Sequence, residues 1–142
     1  MLQIQHASSQ EVCPSDIHPN CFACSTDNPI GLGLRFIPIA PRKVQATFYT
    51  RALFQGYSNR LHGGIISTLL DAAMTHCLFS QGVEALTAEL KVRFLEPVEL
   101  DKRVLLEAEL ISKRKGIYTL EAQITLEQKR LALATAKFLC PK

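Results

Sequence analysis

The sequence predicts an α+β fold, an antiparallel sheet layered on one long helix, and three observations carry that prediction. Residues 61–79, Leu61-His62-Gly63-Gly64-Ile65-Ile66-Ser67-Thr68-Leu69-Leu70-Asp71-Ala72-Ala73-Met74-Thr75-His76-Cys77-Leu78-Phe79, read as one helix that is apolar nearly all round. After Gly82 the chain alternates apolar and polar residues, the period of half-buried strands. Ahead of the helix, residues 31–50 carry two shorter runs that make a first hairpin.

Taken in order, residues 1–30 hold the turn clusters Pro14-Ser15-Asp16, Pro19-Asn20 and Asp27-Asn28-Pro29. They predict an arm with one short helical turn, packed on the body through Ile17, Phe22 and Ile30. Residues 31–142 form the single domain. A strand begins at Gly31–Phe36, a turn over Pro38–Arg42 follows, and a second strand runs from Lys43 to Thr50, with Val44, Ala46 and Phe48 on one face. Residues 51–61 have neither period and form a loop. The helix ends near Gln81-Gly82, where glycine suits the left-handed position after a last turn. Then come four strands. In the first, Leu86, Ala88, Leu90, Val92 and Phe94 alternate with Thr87, Glu89, Lys91 and Arg93, and Pro97 closes it. The second carries Val104, Leu106, Ala108 and Leu110, the third Tyr118 to Leu126 beyond a turn at Ser112–Gly116, and the last Leu131 to Leu139 after a turn around Gln128–Arg130. The four read as successive hairpins.

The totals narrow the function. A chain of 142 residues is one ordinary domain. It has no unbroken run of about 18 apolar residues, and its first six residues offer neither a basic start nor an apolar signal core, so the expectation is a soluble, cytoplasmic protein with no membrane partner. Five cysteines, an odd count, point to reduced thiols. The net charge of +3 is scattered, and only Lys113-Arg114-Lys115 clusters, so no nucleic-acid face is expected. A modest basic excess suits a small phosphorylated ligand.

A helix without a charged face is normally buried, so its lone carboxylate, Asp71, needs a reason. At 100° per residue Gly64, Ser67, Thr68, Asp71 and Thr75 share one stripe, opposite Ile66, Leu69, Leu70, Ala73 and Cys77. Gly63 and Gly64 leave bare N–H groups at the positive end of the helix, suited to an oxyanion or a polarised carbonyl. The bland alternative is that the glycines only turn the chain and Asp71 only meets a buried partner. Asp71 lies seven residues beyond Gly64, about 10 Å along the axis, too far for one small carbonyl to touch both. Two copies packed with antiparallel helices would bring the start of one beside the acid of the other. A homodimer, alone or paired into a dimer of dimers, with a site shared between protomers is therefore expected.

The run Cys21-Phe22-Ala23-Cys24 to Asn28-Pro29-Ile30-Gly31-Leu32-Gly33-Leu34-Arg35-Phe36, then Phe54-Gln55-Gly56 and His62-Gly63-Gly64 with Asp71, resembles the hotdog-fold acyl-CoA thioesterases of the phenylacetic-acid-pathway (PaaI-like) type. The resemblance spans about Cys21 to Phe138. It implies a hotdog fold, an antiparallel sheet wrapped around a central helix, and hydrolysis of an acyl-CoA to free acid and coenzyme A, with coenzyme A present as part of the substrate and no other cofactor required. By resemblance the Gly63 or Gly64 N–H polarises the thioester carbonyl, Asp71 activates water or attacks directly, and Thr87 orients the nucleophile. Asn59 is the nearest match to an asparagine that contributes in some members, and Phe54 stands where many members carry histidine. The resemblance also sets Arg114, with Lys113, near the nucleotide phosphates; the simpler reading is a solvated turn. Guanidinium geometry favours Arg114.

Chemistry agrees, since a carboxylate opposed to helix N-terminal amides supplies both an activated water and a stabilised oxyanion. Apolar walls would raise the pKa of Asp71 and make it a better base. His62 can orient the glycine loop or cap the helix. Cys13, His18, Cys21 and Cys24 make a tempting zinc set, but no second Cys-x2-Cys pair exists, and the reading adopted is thiols that pack the arm, with no metal. His76, five residues after Asp71, diverges from it by about 140° and reads as a core or interface histidine. That divergence weighs against an acyl-CoA hydratase or dehydratase on the same fold. A non-catalytic acyl-CoA sensor would need neither Asp71 nor Thr87.

Overall fold

The computed structural model describes residues 18–141. Strands β1 (Ile37–Ala40) and β2 (Lys43–Tyr49) precede helix α1 (Gly63–Ser80), and β3 (Leu86–Phe94), β4 (Arg103–Arg114), β5 (Ile117–Leu126) and β6 (Lys129–Leu139) follow it. The six strands form one antiparallel sheet in the order β1-β2-β4-β5-β6-β3. This is the expected hotdog arrangement.

The alternation read from the sequence chooses the faces. Val44, Ala46 and Phe48 of β2, Val104, Leu106 and Ala108 of β4, Leu120, Ala122 and Ile124 of β5, and Ala132, Ala134, Ala136 and Phe138 of β6 are buried towards α1. The helix answers with Ile66, Leu69, Leu70, Ala73, Met74 and Cys77. Burying a residue such as Leu69 or Leu106 contributes roughly 1.5–3 kcal/mol before entropy is counted. The opposite stripe of α1, Ser67, Thr68, Asp71 and Thr75, is only half-buried.

Four local expectations are corrected. Residues 31–36 are not the first strand, because their amides bond to the arm: Leu32 N–H donates to Phe22 O at 2.8 Å and Leu34 N–H to Ala23 O at 2.9 Å. The strand lies where the turn was expected, at Ile37–Ala40, and the turn shrinks to Pro41-Arg42. The arm is held by Ala23 and Cys24, while Phe22 and Ile30 are exposed; Ile17 lies outside the described residues. Its helical turn is present, closed by Ser25 N–H to Cys21 O at 2.9 Å.

The other two corrections concern the second half. β3 does not pair with β4 but with β6, at the far edge, and β4 enters between β2 and β5. Thr50 fixes that crossing: its N–H donates to Lys102 O at 2.8 Å, its hydroxyl to Glu99 O at 2.8 Å, and its carbonyl accepts from Asp101 N–H at 2.7 Å. The end of β2 is thus tied to the start of β4. The hairpin turns are also tighter than expected, two residues each at Lys115-Gly116 and Glu127-Gln128. All four residues have positive φ, as two-residue turns matching the sheet's twist require.

Candidate active site

Asp71 sits in the middle of α1, and Thr87 at the start of β3 reaches it. The Thr87 hydroxyl donates to an Asp71 carboxylate oxygen at 2.7 Å. Burial holds the Asp71 carboxyl above the ordinary carboxylate range, although the Thr87 hydrogen bond pulls the other way. The pair opens into a cavity of about 290 Å³ lined also by His18, Thr75, Phe79, Glu84 and Ala85. His18 is a lining residue that helical and strand periodicity could not find, since it comes from the arm.

Strict alternation would put Thr87 on the outer face with Glu89, Lys91 and Arg93. A β-bulge prevents this. Thr87 is opposite Phe138 and Glu89 is opposite Lys137, so Ala88 is the extra residue on β3. Phe138 is fully buried and faces α1, so Thr87 faces α1 with it. Beyond the bulge the phase is reversed: Leu90, Val92 and Phe94 are opposite the buried Ala136, Ala134 and Ala132. One inserted residue thereby turns a strand threonine towards the helix acid.

At the other end of α1, His62 is the N-cap, and its Nδ1 accepts from Gly64 N–H at 2.8 Å. Ile65 and Ile66 N–H both donate to His62 O. Of the two glycine amides, Gly64 is therefore occupied, and Gly63 N–H has no acceptor among the described residues. Gly63 lines a larger cavity, about 940 Å³, with Gln55, Tyr57, His62, Ile66 and Phe94 among its walls. Asp71 and Thr87 do not line it. Gly63 and Asp71 are eight residues apart, about 12 Å along the axis, so each lies at its own cavity in a single chain.

Asn59 does not join either cavity. It has a left-handed φ of 59°, its N–H donates to Gln55 Oε1 at 3.0 Å, and its carbonyl accepts from Leu100. Phe54 is a core residue packed on Phe48, with ring centroids 5.8 Å apart. Lys113 and Arg114 end β4 on opposite faces. Lys113, Tyr118, Phe138 and Thr87 form one inward row across β4, β5, β6 and β3, and the Lys113 ammonium lies 5.3 Å from the Tyr118 ring centre. Arg114 belongs to the outward row with Ile117, Leu139 and Leu86. Three strand spacings separate Lys113 from Thr87, about 14 Å.

His76 is fully buried and does not line the Asp71 cavity. Its Nδ1 bonds Ala72 O at 2.8 Å, and burial depresses its pKa to about 4. Of the cysteine arm, Cys13 lies outside the described residues and Cys21 Sγ accepts from Ala23 N–H. His18 and Cys24 instead come together with His76. No helix among the described residues is long and apolar enough to cross a membrane.

Known proteins share both the sequence pattern and the fold. The model of the thioesterase superfamily matches residues 58–133, more than half of the chain. The acyl-coenzyme A thioesterase THEM4 of Rattus norvegicus is 30% identical over 114 residues, 77% of this chain and 49% of its own length. THEM4 of Mus musculus is 33% identical over 87 residues, 60% of this chain and 37% of its own. The chain thus spans about half or less of the length of these relatives. Among solved structures, the E. coli PaaI protein of the phenylacetic acid degradation operon superposes with a TM-score of 0.71 at 24% identity, over 76% of this chain and 83% of its own. A Streptococcus mutans protein bound to acetyl CoA superposes with a TM-score of 0.73 at 18% identity, over 82% and 95%. With the helix, the sheet order and the matched segment all in agreement, the chain belongs to the thioesterase superfamily.

Proposed function

We propose that the chain is an acyl-CoA thioesterase whose active site is completed by a second copy of itself. The observation that carries this is the Asp71–Thr87 pair, a half-buried carboxylate of raised pKa held by a hydroxyl at 2.7 Å and facing open space. The acetyl CoA held by the Streptococcus mutans neighbour and the thioesterase names of the curated relatives support the substrate class.

In the proposed reaction Asp71 takes a proton from water, and the resulting hydroxide attacks the thioester carbon. The carbonyl π pair moves onto oxygen, where Gly63 N–H stabilises the developing charge. Collapse of the tetrahedral species breaks the C–S bond, and the departing thiolate recovers the proton from Asp71. Thr87 spends its own proton on Asp71 and keeps lone pairs for the water. The apolar walls of the larger cavity suit an acyl group. Lys113, on the inward row, is the better placed of the two cations for a coenzyme A phosphate.

What one chain leaves uncovered supports the dimer. Among the described residues β3 is an edge strand with one side unpaired, its Leu86 and Phe94 are 64% and 56% exposed, and the polar stripe of α1 is only half-covered. Joining two β3 edges would extend the sheet and set the two helices side by side, start against middle. Thiol release from short, medium, long and aromatic acyl-CoAs tests the activity. Release from at least one class is expected; tight binding of acyl-CoA with no release from any would favour a sensor.

A further inference from the structure

We propose that His18, Cys24 and His76 form a zinc site that clips the arm to the central helix. The three donor atoms lie within 4.8 Å of one another, and His18 Nδ1 is already 3.3 Å from Cys24 Sγ. A tetrahedral Zn(II) with nitrogen at about 2.0 Å and sulfur at about 2.3 Å sets its donors about 3.3–3.6 Å apart. One edge of the tetrahedron is therefore in place, and the other two, each at most 4.8 Å, need small side-chain movements to close.

His76 supplies the independent observation. A backbone carbonyl can only accept, so the 2.8 Å contact with Ala72 O fixes the proton on Nδ1. Nε2 is then a bare lone pair, fully buried, and it has no hydrogen-bond partner. A buried acceptor left without a donor is unusual, whereas a ligating histidine normally donates its other ring nitrogen to a carbonyl in this way. Phe36 stacks on the His76 ring at 4.9 Å, and Phe79 packs edge-on against both histidines, so the rings are held in place.

The donor set selects the metal. One thiolate and two neutral imidazoles suit Zn(II), with a water in the fourth position. Binding releases the Cys24 thiol proton to solvent and neutralises the cost of a buried thiolate. The arm then cannot lift from α1 without breaking metal bonds, and His18, a wall of the Asp71 cavity, is fixed with it. The sequence pairs Cys24 with Cys21 as a Cys-x2-Cys knuckle, but the structure pairs it with a histidine 52 residues away on the helix.

The test strips the chain with a chelator and reloads it with Zn(II) alone or Co(II) alone. Wild type is expected to take up one ion per chain, and the Co(II) form to show tetrahedral visible bands with thiolate-to-metal charge transfer. Cys24→Ser should lose the charge transfer and bind Zn(II) about 100-fold more weakly or worse. His18→Gln, a change on the arm that leaves the helix core intact, should weaken binding as well, which keeps the proposal testable if His76→Gln does not fold. Chelation should lower the melting temperature of wild type and leave that of Cys24→Ser unmoved. Absence of stoichiometric metal after loading, an octahedral Co(II) spectrum, or wild-type affinity in Cys24→Ser and His18→Gln would overturn it.

Discussion

Replacing Asp71 with Asn is expected to slow thiol release from acyl-CoA by about 10²–10⁴-fold while leaving acyl-CoA binding largely intact. Asparagine keeps the size of the side chain and can still accept from Thr87, so the fold and the 2.7 Å contact survive. What disappears is the ability to take a proton. The same carboxyl sets the pH dependence. Burial raises its pKa, so the base form is lost, and kcat falls, as pH drops through a value above the ordinary carboxylate range. Wild type should show that acidic limb and Asp71→Asn should not. An unchanged rate in Asp71→Asn would remove the carboxylate from the mechanism.

The second large effect belongs to Gly63. Replacing it with Pro should lower kcat by about 10²–10³-fold, the usual cost of losing one oxyanion donor. Proline is well tolerated at the first position of a helix, and His62 ahead of it already has the extended backbone that precedes proline, φ −61° and ψ 135°. The variant removes an N–H and little else. Gly63→Ala is the control, because it keeps the N–H and its added Cβ would sit 3.7 Å from the Phe94 ring, an ordinary contact. Circular dichroism should find both folded. Equal losses in the two variants would mean that crowding, not the amide, is responsible.

Much of this was legible in the residues because the relevant patterns are local. An apolar helix opened by glycines, the period of two in the later strands, and the count of residues between Gly64 and Asp71 all follow from chain geometry. The failures are long-range. Nothing near residues 31–36 announces that their amides bond Phe22 and Ala23, which moves the first strand to Ile37. Nothing in β3 announces that it pairs with β6, since alternation gives a face and not a neighbour. Thr87 meets Asp71 for a reason that alternation argues against, because only the bulge at Ala88 turns it to the helix. Gly63 and Gly64 could be separated only once His62 was seen to occupy the second amide. His76, read as a core or interface histidine, is buried in the core, and its ring nitrogen meets the arm only in three dimensions.

In the proposed dimer Gly63 of one protomer acts with Asp71 of its partner. Mixing the two inactive variants tests it most directly: Asp71→Asn chains and Gly63→Pro chains are combined, allowed to exchange subunits, and assayed for thiol release. A mixed dimer carries one intact site and one doubly altered site. Random exchange makes half of the dimers mixed, so activity per chain should return to about a quarter of wild type. A mixture no more active than the average of the two parents, with subunit exchange demonstrated, would contradict the shared site.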